Sequence, residues 1–192
     1  MSATAVDIAA ELARFVENQD GLDRDKADLR AKIVELRNLP ADARNSRETA
    51  REITRLNNEI EEIEAARTAC NENARRIAAS LAKPGFAMEK EARRIQNANI
   101  EKAITRFKKV AGEFFTNAGD AEFAANLSST VLEERLALSR IPLCELCICH
   151  DVTPPVLHPD VPLSIVIRNI EALTKSLAEV KARAAALEKG RP

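Results

Sequence analysis

The 192-residue sequence contains no Trp or Tyr, only six Phe and only five Gly. β-Sandwiches and β-barrels build their strands and turns from aromatic residues and glycine, so this scarcity argues against those folds. Ala, Glu, Lys, Leu and Arg dominate instead, a composition typical of long helices and coiled coils. The composition therefore predicts an all-α protein, and the length favours one continuous structural unit.

The chain also lacks an excess of either charge, a long apolar run and a secretory signal. The 29 Lys and Arg residues offset 30 Asp and Glu residues, and the net charge of -1 gives no global attraction to nucleic acid. The longest apolar runs are a few residues, far short of the roughly 20 that span a bilayer. Acidic residues occur early in the N-terminal stretch, unlike in a secretory signal. We expect a cytoplasmic protein with no membrane contact.

Apolar residues recur at heptad spacing along most of the chain. This pattern predicts a coiled-coil region over 1–118, with long helices at about 3–38, 46–82 and 86–118, the first two forming an αα-hairpin. In the third helix the pattern is clear only from Ile100 onwards. A C-terminal helical hairpin is predicted for 119–192, around a loop at 141–161. The predicted fold is thus an elongated, coiled-coil-rich bundle of about five helices.

The predicted loop at 141–161 carries five of the six Cys and His residues of the chain within fifteen positions. They are Cys144, Cys147, Cys149, His150 and His158. Thiolate sulfur and imidazole nitrogen are ligands that Zn²⁺ prefers, and the two-residue gap between Cys144 and Cys147 suits a turn that presents both sulfurs to one ion. The sequence therefore predicts a structural zinc site. Cys144, Cys147 and His158 are the preferred ligands, with either Cys149 or His150 as the fourth, within one chain or shared between subunits.

Other interpretations of this cluster are open. Free cysteines are often buried, so the stretch could be an apolar plug, and a C-x-x-C pair can also be a redox centre. A catalytic zinc would need a nearby general base, for which Glu145 and Asp151 are the local candidates, and no H-E-x-x-H motif is present. A metalloenzyme at this loop is therefore an alternative to the structural role.

Basic residues on the third predicted helix form a second candidate site, for nucleic acid. They are Arg93, Arg94, Lys102, Arg106 and Lys109. The last three point away from the apolar seam, so that a stripe of positive charge could follow a phosphate backbone. The sequence has neither an aromatic stacking platform nor a helix-turn-helix pattern, which makes nucleic-acid binding an alternative.

Narrow apolar stripes on five helices leave some of their length uncovered within a single chain. The sequence therefore favours a non-enzymatic protein-interaction protein, acting as a scaffold, adaptor or inhibitor. Its expected partner is a second copy of itself, another protein, or both, and zinc is the expected cofactor.

Overall fold

The computed structural model describes residues 4–40, 46–143, 147–148, 156–158 and 160–189. In this part of the chain the fold is all-α, as predicted, with six helices and one short strand pair. The helices are α1 (Ala5–Arg37), α2 (Ser46–Ala79), α3 (Ala82–Ala111), α4 (Ala118–Leu127), α5 (Ser129–Ser139) and α6 (Leu163–Glu188). Strands β1 (Cys147–Ile148) and β2 (Val156–Leu157) lie between α5 and α6 and pair antiparallel.

Helices α1 and α2 form the predicted hairpin, and their contacts show that they run antiparallel. Arg67 Nε lies 2.8 Å from the Asp23 carboxylate. Further from the rest of the molecule, Ile33 packs with Leu56 and Ile60. The distal part of the hairpin is therefore stabilised by a narrow apolar seam between two helices, flanked by ion pairs.

The main core forms where the first, second and sixth helices meet. It includes side chains that are fully buried, among them Leu12 of α1, Leu81 beyond the end of α2, and Val166 and Ile170 of α6. Burial of such side chains is the principal stabilising contribution in a fold of this type. The open end of the α1–α2 hairpin is thereby anchored to α6.

The junction between α2 and α3 differs from the predicted one. Helix α3 begins at Ala82 and not at 86, so Pro84 and Gly85 lie in its first turn. Proline is tolerated there because the first N–H groups of a helix have no intrahelical acceptor. The break falls earlier, at the turn of Ser80 and Leu81, where Ser80 and Leu81 donate backbone hydrogen bonds of 3.0 Å to carbonyls of the last turn of α2.

Helices α3 and α6 run in the same direction. Met88, near the start of α3, packs on the core that contains Leu163 at the start of α6, and Lys102 further along α3 binds Glu188 at the end of α6. Helices α4 and α5 pack on α3. This second region of the fold therefore has α3 at its centre.

Candidate interaction surface

The predicted fourth helix is divided into two by Ser128. The backbone of Ser128 is extended, with ψ at 144°, and this residue is both the C-cap of α4 and the N-cap of α5. The Ser128 hydroxyl accepts a hydrogen bond from the Val131 amide at 3.4 Å. Serine is a preferred N-cap residue because it satisfies an amide that the first turn leaves unpaired. The cap makes α5 a separate helix that can take its own orientation on α3.

Helix α5 has one buried and one exposed face. Val131 and Glu134 are buried, and Val131 packs with Ile100 and Ala103 of α3. Leu132 and Leu136 are about half exposed. Residues four apart share a face of a helix, so the two leucines form an apolar stripe directed away from α3.

A buried polar network holds α5 in this orientation. The Glu134 carboxylate accepts a hydrogen bond from Arg183 Nε of α6 at 2.9 Å and another from the Gln96 side chain of α3. Gln96 Nε2 also donates to the Glu134 main-chain oxygen at 2.8 Å. Asn99 Nδ2 donates to the Val180 carbonyl of α6 at 3.2 Å. Because each of these bonds requires a particular geometry, the network fixes the relation of three helices.

Exposed large apolar side chains are concentrated around α4 and α5. Seven of the nine that occur in the described part of the chain lie between positions 110 and 143. Single exposed apolar residues are common on protein surfaces, whereas a concentration of them on neighbouring helices is a candidate interaction site. Four of these residues, with 49% to 68% of their area exposed, define what we name the α4–α5 apolar surface: Phe123, Leu127, Leu132 and Leu136.

The two halves of this surface are joined directly. Phe123 and Leu127 lie four residues apart on α4, and the two leucines lie four apart on α5. Arg135 of α5 donates to Asn126 Oδ1 of α4 at 2.7 Å. The hydrogen bond therefore holds the helix that carries Phe123 and Leu127 next to the helix that carries Leu132 and Leu136.

A groove of about 490 Å³ lies between α3, α5 and the end of α6. Its apolar lining includes Phe107, Val110 and Leu187, and its charged lining includes Glu133 and Arg183. Val110 is itself exposed, and Glu133 follows Leu132 in the chain, so the groove lies beside the α4–α5 apolar surface.

Sequence reasoning missed this surface, although one signal was present. Val131 and Leu132 are adjacent in the chain, and adjacent residues cannot share the centre of one helix face. One of the two therefore had to be displaced from the core. Which one is exposed depends on the position of α5 against α3, and that is set by the polar network.

The structure describes part of the predicted zinc cluster. Cys144, Cys149 and His150 lie outside the described residues, and the backbone of Cys147 in β1 pairs with Leu157 of β2. His158 follows at a turn, and its Nδ1 accepts a hydrogen bond from the Asp160 amide at 3.2 Å. Among the residues that the structure describes, no three metal-binding side chains come together. The strand pair nevertheless brings the two ends of the loop side by side.

The basic residues predicted for nucleic-acid binding are largely engaged in ion pairs. Arg93 Nε lies 3.0 Å from Glu89, Arg94 Nε lies 2.7 Å from Glu91, and Lys102 Nζ lies 2.8 Å from Glu188. Hydrogen bonds from Arg94 and Lys102 lower the pKa values of Glu91 and Glu188 respectively. Arg106 lines the groove, and Lys109 is exposed. Acidic partners thus neutralise much of the stripe, and nucleic-acid binding stays a prediction.

By its architecture the protein belongs to the all-α class. No protein-family model, curated protein or solved structure matches the chain. Within the described ranges, no helix has both the length and the apolar character required for crossing a membrane.

Proposed function

We propose that the protein acts without catalysis, as a scaffold, adaptor or inhibitor that binds protein partners through the α4–α5 apolar surface. The observation that carries this proposal is that exposed apolar side chains are concentrated on α4 and α5, and that a buried polar network holds α5 in place. Full burial of a Leu or Phe side chain contributes about 1.5–3 kcal/mol, so each of these half-exposed residues would contribute roughly 1 kcal/mol on binding. Preorganisation by the network lowers the entropic cost of that contact.

Site-specific photo-crosslinking tests this proposal. A photoreactive phenylalanine analogue at Phe123 is expected to give a discrete covalent adduct in the cells that make the protein, and mass spectrometry identifies the protein attached. The matched control has the same analogue at Val34, which is 54% exposed on the distal hairpin. Identical adduct patterns at the two positions would contradict the proposal, because they would show no preference for the α4–α5 apolar surface.

We further propose that zinc staples the loop between α5 and α6, with Cys144, Cys147, His158 and either Cys149 or His150 as ligands. The ligand types and the C-x-x-C spacing support this site. The pairing of Cys147 with Leu157 supports it too, since directly paired residues have Cα atoms about 4.5–5.5 Å apart.

Zinc content measures this second proposal directly. Protein purified without chelator should contain about one zinc per chain by plasma emission, or one per two chains where subunits share the ion. A Cys144→Ser and Cys147→Ser double variant should lose the metal. Cys70→Ser is the matched control, because Cys70 lies on α2 within the hairpin. A ratio near zero in the unaltered protein would refute the zinc staple.

A further inference from the structure

We infer that the partner of the α4–α5 apolar surface is the same surface of a second copy, with α5 antiparallel to its counterpart across a two-fold axis. This inference rests on the proposed function and specifies the partner. In such a dimer the same surface of both copies forms the interface, so that every contact between two different positions occurs twice. The surface must therefore be complementary to itself, both in its apolar residues and in its charges.

The outer face of α5 meets that requirement. Ser129, Glu133, Leu136 and Arg140 follow one another at intervals of four, three and four, and therefore form one stripe of the helix and its C-cap, with Leu132 beside it. In an antiparallel pair, a two-fold axis between Leu136 and Ala137 places the Leu136 side chains of the two copies against each other. Glu133, near the start of the stripe, then lies level with Arg140, near the end of the stripe in the other copy.

The charges on this stripe are available for such a contact. Glu133 and Arg140 are both exposed, and neither has a side-chain ion pair with any residue in the described portion of the chain. Arg135, by contrast, is directed towards α4 by its hydrogen bond to Asn126. The dimer would contain two intermolecular ion pairs, each between Glu133 of one copy and Arg140 of the other. Their formation therefore breaks no existing ion pair.

The α4 residues extend the contact, and the net charge permits it. Phe123 and Leu127 lie on α4, which is hydrogen-bonded to α5, so both copies together offer eight apolar side chains that are about half exposed or more. The net charge of -1 produces little repulsion between two copies. Each copy contributes four apolar side chains and two charged ones to this contact, against roughly 20–30 residues per side in a standard interface, so we expect a weak dimer with a Kd on the order of 10 µM.

Light scattering and sedimentation equilibrium of the purified 192-residue chain test the inference. The mass should rise from the monomer value of 21.1 kDa towards twice that value as the protein concentration increases through the expected Kd. Leu136→Glu should weaken the dimer at least about 30-fold, because it places two carboxylates at the centre of the contact. Val34→Glu, an equally exposed site on α1, is the matched control and should dimerise like the unaltered protein.

Charge exchange separates this geometry from a general loss of apolar contact. Glu133→Arg gives a stripe with two positive positions, and Arg140→Glu gives one with two negative positions. Each single variant alone should dimerise about 10-fold more weakly, whereas an equimolar mixture of the two should recover unaltered affinity as heterodimers. The double variant that exchanges both charges should also recover it. These readouts stand even where Leu136→Glu fails to fold, and circular dichroism checks the helix content of every variant.

Several results would overturn the inference. They are a constant 21.1 kDa mass at all concentrations, a dimer insensitive to Leu136→Glu, and a dimer lost on chelation but indifferent to charge exchange. A monomeric purified chain that still forms a Phe123 adduct with a different protein would overturn self-association alone. The proposed function would then stand with another partner, so the two failures are distinguishable.

Discussion

Replacement of Glu134 by glutamine tests how α5 is held against α3 and α6. The Glu134 carboxylate is almost completely buried and accepts hydrogen bonds from Arg183 and Gln96. Glutamine has the same shape, but one of its two terminal atoms is a donor. That donor would face either the Arg183 guanidinium or the Gln96 amide group, which are donors themselves.

Gln96 cannot relieve this conflict by turning its amide group. Its Nε2 also donates to the Glu134 main-chain oxygen at 2.8 Å, and its Oε1 accepts from Asn99 Nδ2 at 3.4 Å. Rotation would place Gln96 Oε1 against the Glu134 main-chain oxygen, which is also an acceptor. It would place Gln96 Nε2 against Asn99 Nδ2, which is also a donor. The substitution therefore leaves one buried polar group without a partner, whichever way the amides point.

The expected cost follows from these contacts. A hydrogen bond to a charged group contributes about 1.5–3 kcal/mol, and an unsatisfied buried polar group costs about 1–3 kcal/mol. The Arg183 side chain is 38% exposed and can be partly rehydrated, which places the first contribution at its lower end. We expect Glu134→Gln to lower the free energy of unfolding by about 2–3 kcal/mol.

Urea unfolding followed by circular dichroism measures this change. With a slope of about 2–3 kcal/mol per molar urea, the midpoint should fall by roughly 1 M. Glu61→Gln, on the exposed side of α2, is the control and should change stability by less than about 0.5 kcal/mol. An unchanged midpoint for Glu134→Gln would refute the reasoning. Replacing Gln96, Glu134 and Arg183 together by apolar residues should recover stability, because the interacting polar groups are then removed together and Asn99 keeps its hydrogen bond to the Val180 carbonyl.

Three further substitutions test other parts of the fold by the same urea measurement. Leu81→Ala should cost about 2–5 kcal/mol, because it leaves a cavity where α2 turns into α3. Ser128→Ala should cost about 1 kcal/mol and Ser128→Gly only a few tenths, since glycine is also an acceptable N-cap; equal losses would contradict the capping role. The hydrogen bond from Lys26 lowers the pKa of Glu64 in the folded state. This pair therefore stabilises the folded state at pH values above the ordinary glutamate pKa of about 4.3. The stabilisation is lost as the pH falls through the lower pKa of the folded state. Lys26→Met should therefore be less stable than the unaltered protein at pH 7 and should lose that difference in acid; a difference independent of pH would contradict this assignment.

Regular spacing made much of the helical structure predictable. In α6 the apolar positions alternate at three and four without interruption, and the helix extends over Leu163–Glu188 as one unit. Helix α1 likewise continues through Asp20 and Gly21, because the heptad register is unbroken there. The errors fall at helix ends and at Ser128, which divides the predicted fourth helix. Pro84 was predicted to terminate a helix but lies in the first turn of the next one, and only the tertiary fold distinguishes these two positions of a proline.

The polar part of the core was beyond sequence reasoning. The apolar pattern of the third helix is clear only from Ile100 onwards, and the structure shows that Gln96 and Asn99 are buried just before it. Their partners, Glu134 and Val180, are 38 and 81 residues away in the chain. No local pattern encodes such a pairing. The zinc ligands could be proposed because residue type alone suggests their chemistry, whereas the α4–α5 apolar surface depends on which face of a helix is covered.

The polar network and the apolar surface are linked by one consequence of the α5 sequence. The outward face of this helix carries Leu132 and Leu136, whereas the inward face contains a carboxylate between Val131 and Leu138. Hydrophobic burial alone therefore gives little preference between two orientations of α5 on α3, the observed one and the one in which Leu132 and Leu136 would face α3. The bonds of Glu134 to Gln96 and Arg183 exist in only one of them, and in the other the carboxylate would be exposed and its partners left unpaired. We conclude that the buried Glu134 directs Leu132 and Leu136 outward. This acid reduces the apolar contact of α5 with the core, and in doing so it creates the proposed binding surface.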